Sequence, residues 1–255
     1  MRVLVNWLHR KATQIHAGLL HRWLLDCASR DINLSRNPVI VFAPHQDDET
    51  FGCGGLIARK RAMGVSVKVV FMTDGRGARL SEEIKTTEEL VIVRRSEALN
   101  AGNILGLTDD DFHFLDLPDT TLSELNSEQR LQLIDKVRGI LATLPVGETC
   151  VPHRRDIHPD HEATYAIVRE AIDQTPGHFV LFEYSVWMTW LAKIGRSLRL
   201  SDLHGARRLS IKEVLPLKLR AIEAYRSQEC ALPAHFTDRF KAPYEVFFCD
   251  LGGRR

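Results

Sequence analysis

The chain has 255 residues, 44% of them hydrophobic and 26% charged, with 34 Lys and Arg against 33 Asp and Glu. A formal net charge of +1 lacks the basic surplus of a nucleic-acid binder, and the length suits one well-buried α/β domain. Five scattered cysteines without C-x-x-C suit a reducing compartment, so a cytoplasmic protein is expected; no stretch is apolar enough to span a bilayer, and no cleavable signal pattern opens the chain.

Residues 1–35 read as an N-terminal helical extension. From Arg2 to Ser29, Leu4, Leu8, Ile15, Leu19 and Trp23 recur at steps of three and four between basic and imidazole side chains, which predicts an amphipathic helix. Its apolar face is expected to pack on the domain or on a second subunit of a homo-oligomer. Peripheral contact of residues 2–29 with anionic lipid is the alternative. Asp31 to Pro38 is the connector, and residues 36–255 read as a single domain, because no linker or repeat divides them.

Val39 to Ala43 is wholly apolar and stops at Pro44, the pattern of a strand buried on both faces of a parallel sheet. The charged run His45 to Glu49 follows, at the carboxyl end where open α/β sheets carry their sites. A helix is expected from Thr50 to Met63. Its G-x-G-G start lacks the third glycine of a dinucleotide loop, and the carboxylates before it would repel a pyrophosphate. Cys53 in that start is read as packing. Ser66 to Thr73 is the second strand, and Asp74 to Ser81 is a glycine-broken loop placed to cover substrate. A helix over Thr86 to Leu105 stops at Gly106. Arg94 and Glu97 share one face of it, which by spacing alone is an ordinary ion pair.

Phe112 to Leu117 alternates as a strand, Glu124 to Leu144 is helical behind Ser123, and Thr149 to Pro152 is again a strand. Pro159 to Asp173 is the next helix and His178 to Trp187 the next strand. Met188 to Arg208 loses periodicity and gains Lys193, Arg196, Arg199, Arg207 and Arg208. It is read as a solvated basic flap or as a contact surface for a phosphate-bearing carrier. Leu209 to Lys212 predicts a short strand, Leu215 to Ser227 a helix, and Tyr244 to Asp250 a final edge strand. The recurring strand and helix make the fold class α/β.

Asp47, Asp48 and Glu49 repel one another at neutral pH, and holding them near a low-dielectric interior is costly without a cation. His45 and Asp48, three apart on a turn, can converge on a divalent ion, while Asp47 must point elsewhere and is free to accept a proton. A solvated acidic turn capping the next helix is the plain alternative. A second loop, Val151 to His161, repeats the arrangement by carrying His158, Asp160 and His161 into a helix start. His45, Asp48 and His161 together give two imidazoles and a carboxylate with positions left open, the donor set of catalytic zinc.

Ala43-Pro-His-Gln-Asp-Asp-Glu49 with Gly52-Cys-Gly-Gly55, and Asp156-Ile-His-Pro-Asp-His161, resemble the two motifs of the PIG-L/LmbE family of zinc-dependent N-acetyl sugar deacetylases. Val67 to Gly75, Arg94-Arg-Ser-Glu-Ala98 with Leu105-Gly106, and Phe114 to Asp119 extend the likeness over most of the chain. The resemblance implies a Rossmann-like three-layer sandwich with a mostly parallel central sheet. It implies one Zn2+ per chain, other divalent transition metals being alternatives, held by His45, Asp48 and His161. By the same resemblance Asp47 is the general base, His158 and Asp160 either support the metal ligands from behind or are acid-side groups with Asp160 orienting His158, and Arg94 and Asp119 contact the sugar. The family usually has proline where this chain has Gln46, which leaves the turn less stiff. The substrate class implied is an N-acetylated amino sugar or glycoconjugate. Its rivals are a metal-dependent amidase for another small amide or acyl conjugate, a magnesium phosphoryl-transfer site and a metal-dependent sugar-binding module.

Overall fold

The computed structural model describes residues 2–144 and 146–249, the side chains of residues 2–11 excepted. Helix α1 (Arg2–Trp23) runs through a π turn, Leu24–Ala28, to the two-residue strand β1 (Arg30–Asp31). Then come β2 (Val39–Ala43), α2 (Asp48–Ala62), β3 (Val67–Thr73), α3 (Thr87–Ile104), β4 (Phe112–Leu117), α4 (Ser127–Leu141), β5 (Val146–Pro152) and α5 (Pro159–Asp173). The last part holds β6 (His178–Tyr184), the short α6 (Met188–Leu191), β7 (Ala206–Ser210), α7 (Leu215–Glu223) and β8 (Tyr244–Phe248).

The eight strands form one sheet in the order β1-β7-β8-β6-β5-β2-β3-β4. Every pairing is parallel except those of β8, which runs antiparallel to β6 and β7. The expected α/β layering is therefore present, and β2 shows why its sequence is uninterruptedly apolar. Val39, Val41 and Ala43 pack with Phe51 and Ile57 of α2, Ala98 of α3 and Ala221 of α7. Ile40 and Phe42, on the other face, pack with Ile134 and Val137 of α4 and with Ile167 and Val168 of α5. A strand covered on both sides has no solvent face for a polar residue. Gly52 is needed for this stacking, since a Cβ there would lie 2.2 Å from the Tyr184 ring of β6.

The chain leaves β2 toward β3 and β4, then returns to add β5 on the opposite flank of β2. The carboxyl ends of β2 and β5 thus flank the point where strand order reverses, which opens a crevice there.

Several expectations shift. β8 lies inside the sheet between β7 and β6 and not at an edge, and Asp250 of that predicted strand lies outside the described residues. β5 begins at Val146, and the strand expected at Leu209 is β7, set three residues earlier. The helix expected over Glu124 to Leu144 is a 3-10 turn, Leu122–Glu124, followed by α4 with Asn126 as its cap. The largest change concerns α1. Among the described side chains Ala17 and Leu20 are buried, with Leu24 beyond them, and Leu20 and Leu24 pack with Met188, Ala192, Leu198 and Leu203, whereas Ile15, Leu19 and Trp23 face solvent. Leu4 and Leu8 have side chains outside the described residues. Within residues 188–208, Met188, Ala192, Leu198, Leu203 and Ala206 pack with Leu20 and Leu24, and none of the segment's described residues lines the crevice.

Candidate metal centre

The turn after β2 is wound by its own carboxylates. His45 N–H donates to Asp48 Oδ2 at 3.0 Å and Asp47 N–H to Glu49 Oε2 at 3.1 Å. Asp47 adopts φ 149° and ψ −28°, a conformation that costs about 1–3 kcal/mol and persists only where its surroundings enforce it. Buried Glu49 is clamped by the hydroxyls of Tyr225 and Thr50. Arg94 Nη2 donates to the Gln46 carbonyl at 2.8 Å and Nη1 to the Gly75 carbonyl at 3.0 Å. Gln46 Nε2 donates to the Thr73 carbonyl at 2.7 Å, fastening the turn to the end of β3 where a proline would have stiffened it covalently. Adjacent carboxylates thereby meet different partners: Asp48 faces imidazoles, and Asp47 faces Arg94 at 3.6 Å.

The second loop is held at Asp156. This fully buried carboxylate accepts the N–H groups of Val186 at 3.0 Å, Trp187 at 3.1 Å and Met188 at 2.8 Å, and lies 2.7 Å from His161 Nδ1. Ile157 follows at φ 70°, a left-handed conformation that strains a β-branched residue. It reverses the chain so that Asp156 and His158 serve opposite sides of the loop. His158 then caps α5, its Nδ1 accepting the Asp160 N–H at 3.3 Å, and His161 stands in the first turn.

The two loops converge on Asp48. His45 Nδ1 and His161 Nε2 each lie 3.2 Å from Asp48 Oδ2. With Nδ1–H given to Asp156, a neutral His161 would turn its buried Nε2 lone pair toward Asp48, whose approach at 3.2 Å is that atom's one polar contact among the described residues. Ligands about 2.0–2.1 Å from a tetrahedral zinc stand about 3.3 Å apart, the size of these two separations, and among the described residues the donor groups whose atoms all lie within 4.8 Å of one another are His45, His158 and His161, and His45, Asp119 and Asp160. On its other side His45 Nε2 meets Asp119 Oδ1 at 3.0 Å and Asp160 Oδ2 at 3.3 Å, the carboxylate support usual behind a ligating imidazole.

Electrostatics separate the acidic groups. Burial pushes the Asp47 carboxyl up to about 8 against the pull of Arg94, whereas His161 and His45 hold Asp48 well below the carboxylate range despite its burial. Burial, with the neighbouring His161 and His45, lowers His158 to about 4. Burial opposes charge on His161 too, but Asp48 and Asp156 raise it to about 9. A divalent cation among these atoms takes the place of the protons they otherwise share.

The crevice has a volume of about 220 Å³. His45, Asp47, Asp48, Asp119 and His158 line one side, and Trp187, Leu232 and Phe236 the other. Asp119 is at the wall, its Oδ2 accepting the Gly77 N–H at 3.0 Å. The structure sharpens two predicted placements. The Asp160 carboxylate is fully buried and accepts the N–H groups of Thr120 at 2.7 Å and Leu122 at 3.0 Å; it supports His45 at 3.3 Å, and only its backbone meets His158. Arg94, 3% exposed, donates Nη1 and Nη2 to the loops that carry Asp47, while its Nε has no hydrogen-bond partner among the described residues and the residue is among those lining the crevice. Glu97 bonds Ser227 instead of Arg94. Sequence reasoning passed over Asp156, Tyr225 and the apolar wall of Trp187 and Phe236. Asp156 stood in the quoted second motif and was legible there, but Tyr225 and Phe236 are distant in sequence and carried no local signal.

Residues 40–172 match the family described as PIG-L, GlcNAc-PI de-N-acetylase. A probable N-acetyl-alpha-D-glucosaminyl L-malate deacetylase 2 of Bacillus anthracis is 30% identical over 198 residues, covering 76% of this chain and 81% of the relative. The N,N'-diacetylchitobiose deacetylase of Pyrococcus horikoshii superposes with a TM-score of 0.60 at 22% identity, over 84% of each chain. A 4-carboxy-2-hydroxymuconate hydratase from Pseudomonas putida KT2440 superposes with a TM-score of 0.64 at 16% identity, over 86% of this chain and 97% of that one. The same architecture thus serves two reaction classes, and the site has to supply the distinction. Among the described residues no helix is long and apolar enough to cross a membrane.

Proposed function

The chain belongs to the PIG-L de-N-acetylase family, and we propose that its crevice removes the acetyl group of an N-acetylglucosamine-type amino sugar with one zinc ion, releasing acetate and a free amine. What carries this reading is one juxtaposition: the Nε2 of His161 and the Nδ1 of His45, both 3.2 Å from Asp48 Oδ2, with a second, separately held carboxylate on Asp47 lining the same crevice. His45, Asp48 and His161 would hold the ion; imidazole with carboxylate suits zinc better than magnesium. Bound there, zinc supplies Lewis acidity that activates water and polarises the acyl oxygen.

The remaining steps belong to side chains. Ionised Asp47 takes the proton as water attacks the acetamide carbon, and the same carboxyl returns it to the nitrogen as the carbon–nitrogen bond breaks, leaving acetate and the amine. His158 stays neutral near pH 7, and because its Nδ1 accepts a backbone N–H, its Nε2 carries the proton. It therefore donates a hydrogen bond to the developing oxyanion as a neutral imidazole. Asp119 accepts a sugar hydroxyl at the wall. A volume of about 220 Å³ lies under the roughly 300–1,000 Å³ of ordinary ligand pockets, so the acetamido ring enters and its substituent stays outside.

The test is acetate release from a panel of N-acetylglucosaminides and unrelated acetamides, with elemental analysis of the same protein. Asp47→Asn is expected to keep stoichiometric metal and lose about 10²–10⁴ in kcat. His161→Ala is expected to lose the metal. Wild-type turnover in Asp47→Asn removes the base, and preference for a non-sugar amide removes the substrate class.

A further inference from the structure

The outer face of α1 has no partner on the domain. Ile15 and Leu19 are 64% and 65% exposed, and Trp23 is exposed with them. Spaced by four on a helix, they form a single row turned roughly 130° from the buried Ala17 and Leu20. The row is therefore not the margin of the packed face.

A second element adds to the same region. Ile194 N–H donates to His16 Nε2 at 3.3 Å, which sets the 193–200 segment beside α1 next to Ile15. That segment exposes Ile194 and, at 65%, Leu200. Interleaved with them are Lys193, Arg196 and Arg199, whose side chains form no ion pair among the described residues. Apolar side chains ringed by unpaired cations, in a chain whose total charge is only +1, form a concentrated amphipathic patch. Against a second copy across a two-fold axis these cations would meet their own kind. Against an anionic bilayer they find a complement.

We propose that α1 and the 193–200 segment form a docking surface for an anionic lipid bilayer, with Ile15, Leu19 and Trp23 inserted at the interface and Lys193, Arg196 and Arg199 among the headgroups. The surface adjoins the catalytic crevice. Arg239 donates to the Gln14 carbonyl of α1 at 2.9 Å and lies over Trp190, whose ring packs 5.5 Å from that of Phe236 in the crevice wall. Docking thus holds the crevice near the membrane surface without a spanning segment.

Flotation of the full chain with vesicles tests this. Vesicles of phosphatidylcholine with about one-third phosphatidylserine are expected to bind on the order of 100-fold more tightly than pure phosphatidylcholine, from roughly fivefold per cation. Most of that gain should vanish in roughly 0.5 M salt. Leu19→Glu, at a solvent-facing position, is expected to abolish binding with an unchanged thermal melt. The triple change Lys193→Gln, Arg196→Gln and Arg199→Gln is expected to erase the preference for phosphatidylserine. A lipid-induced blue shift in fluorescence should be present in the parent and lost in Trp23→Phe. Equal binding to both vesicles, binding to neither, or a dimer in sedimentation that Leu19→Glu converts to monomer would each overturn the proposal.

Discussion

Asp156→Asn separates a ligating His161 from a merely buried one. The carboxylate receives four donors: Oδ1 serves Val186 and Met188, while Oδ2 serves Trp187 and His161 Nδ1. Asparagine keeps a single acceptor oxygen, so its amide nitrogen must confront at least one of these N–H groups. If that nitrogen replaces Oδ2, it turns a donor toward His161 Nδ1, and the ring answers by moving its proton to Nε2, which ends ligation. If it replaces Oδ1, two backbone N–H groups lose a charged acceptor at about 1–3 kcal/mol each. The expected cost is about 3–5 kcal/mol of stability, and metal affinity should fall by about 10–100-fold, the usual penalty for removing the carboxylate behind a ligating imidazole. Competition against a chelator measures the affinity, and a thermal melt with saturating metal measures the stability. Unchanged metal affinity in a destabilised protein would refute the tautomer assignment and remove His161 from the proposed ligand set.

The other predictions follow from separate parts of the molecule. His158→Gln should retain metal and lose about 10²–10³ in kcat with little change in KM, as expected when a donor to a developing oxyanion is removed; loss of metal would make His158 a ligand instead. Tyr225→Phe deletes a hydrogen bond to buried Glu49, which holds the strained Asp47. It should cost about 1–3 kcal/mol in a denaturant titration and lower kcat more than metal content; equal loss of both would show that the clamp serves only folding. His21 has a pKa lowered to about 4 by burial and by the nearby Arg239. Its native form stays neutral while the unfolded chain gains a proton below about 6.5, so stability should fall as pH drops from about 7 toward 4 and level off outside that window. Partial solvent contact limits the effect to about 2–3 kcal/mol, and His21→Leu should remove that slope; an unchanged slope would assign it elsewhere.

The legible parts of the molecule are those where one local pattern answers to one local cause. Val39 to Ala43 read as a doubly covered strand because a sheet face packed on both sides leaves no place for a polar residue, and the two cores show that pairing. His45, Asp48 and His161 could be singled out in the sequence because charge at a strand end requires a compensating cation, and the structure brings His45 Nδ1 and His161 Nε2 each to 3.2 Å from Asp48 Oδ2. What failed were assignments that depend on which of several neighbours a group meets. Periodicity located the apolar row of α1 but not its direction, since it is Leu20 and Leu24 that pack with Met188 and Leu198. Arg94, expected to contact substrate, bonds the backbone of two loops while it also lines the crevice. Asp160 illustrates the same limit from inside a motif. Its carboxylate lies nearest in sequence to His158 yet supports His45, because the strained turn at Ile157 and the helix start aim it back across the crevice toward Thr120 and Leu122. Asp156, four residues earlier, holds His161 and, through three N–H groups, the segment that carries Trp187. One carboxylate thus fixes both a proposed metal ligand and the apolar wall opposite it. A perturbation that loosens the Trp187 wall, such as Trp187→Ala, should therefore weaken metal binding as well as substrate binding.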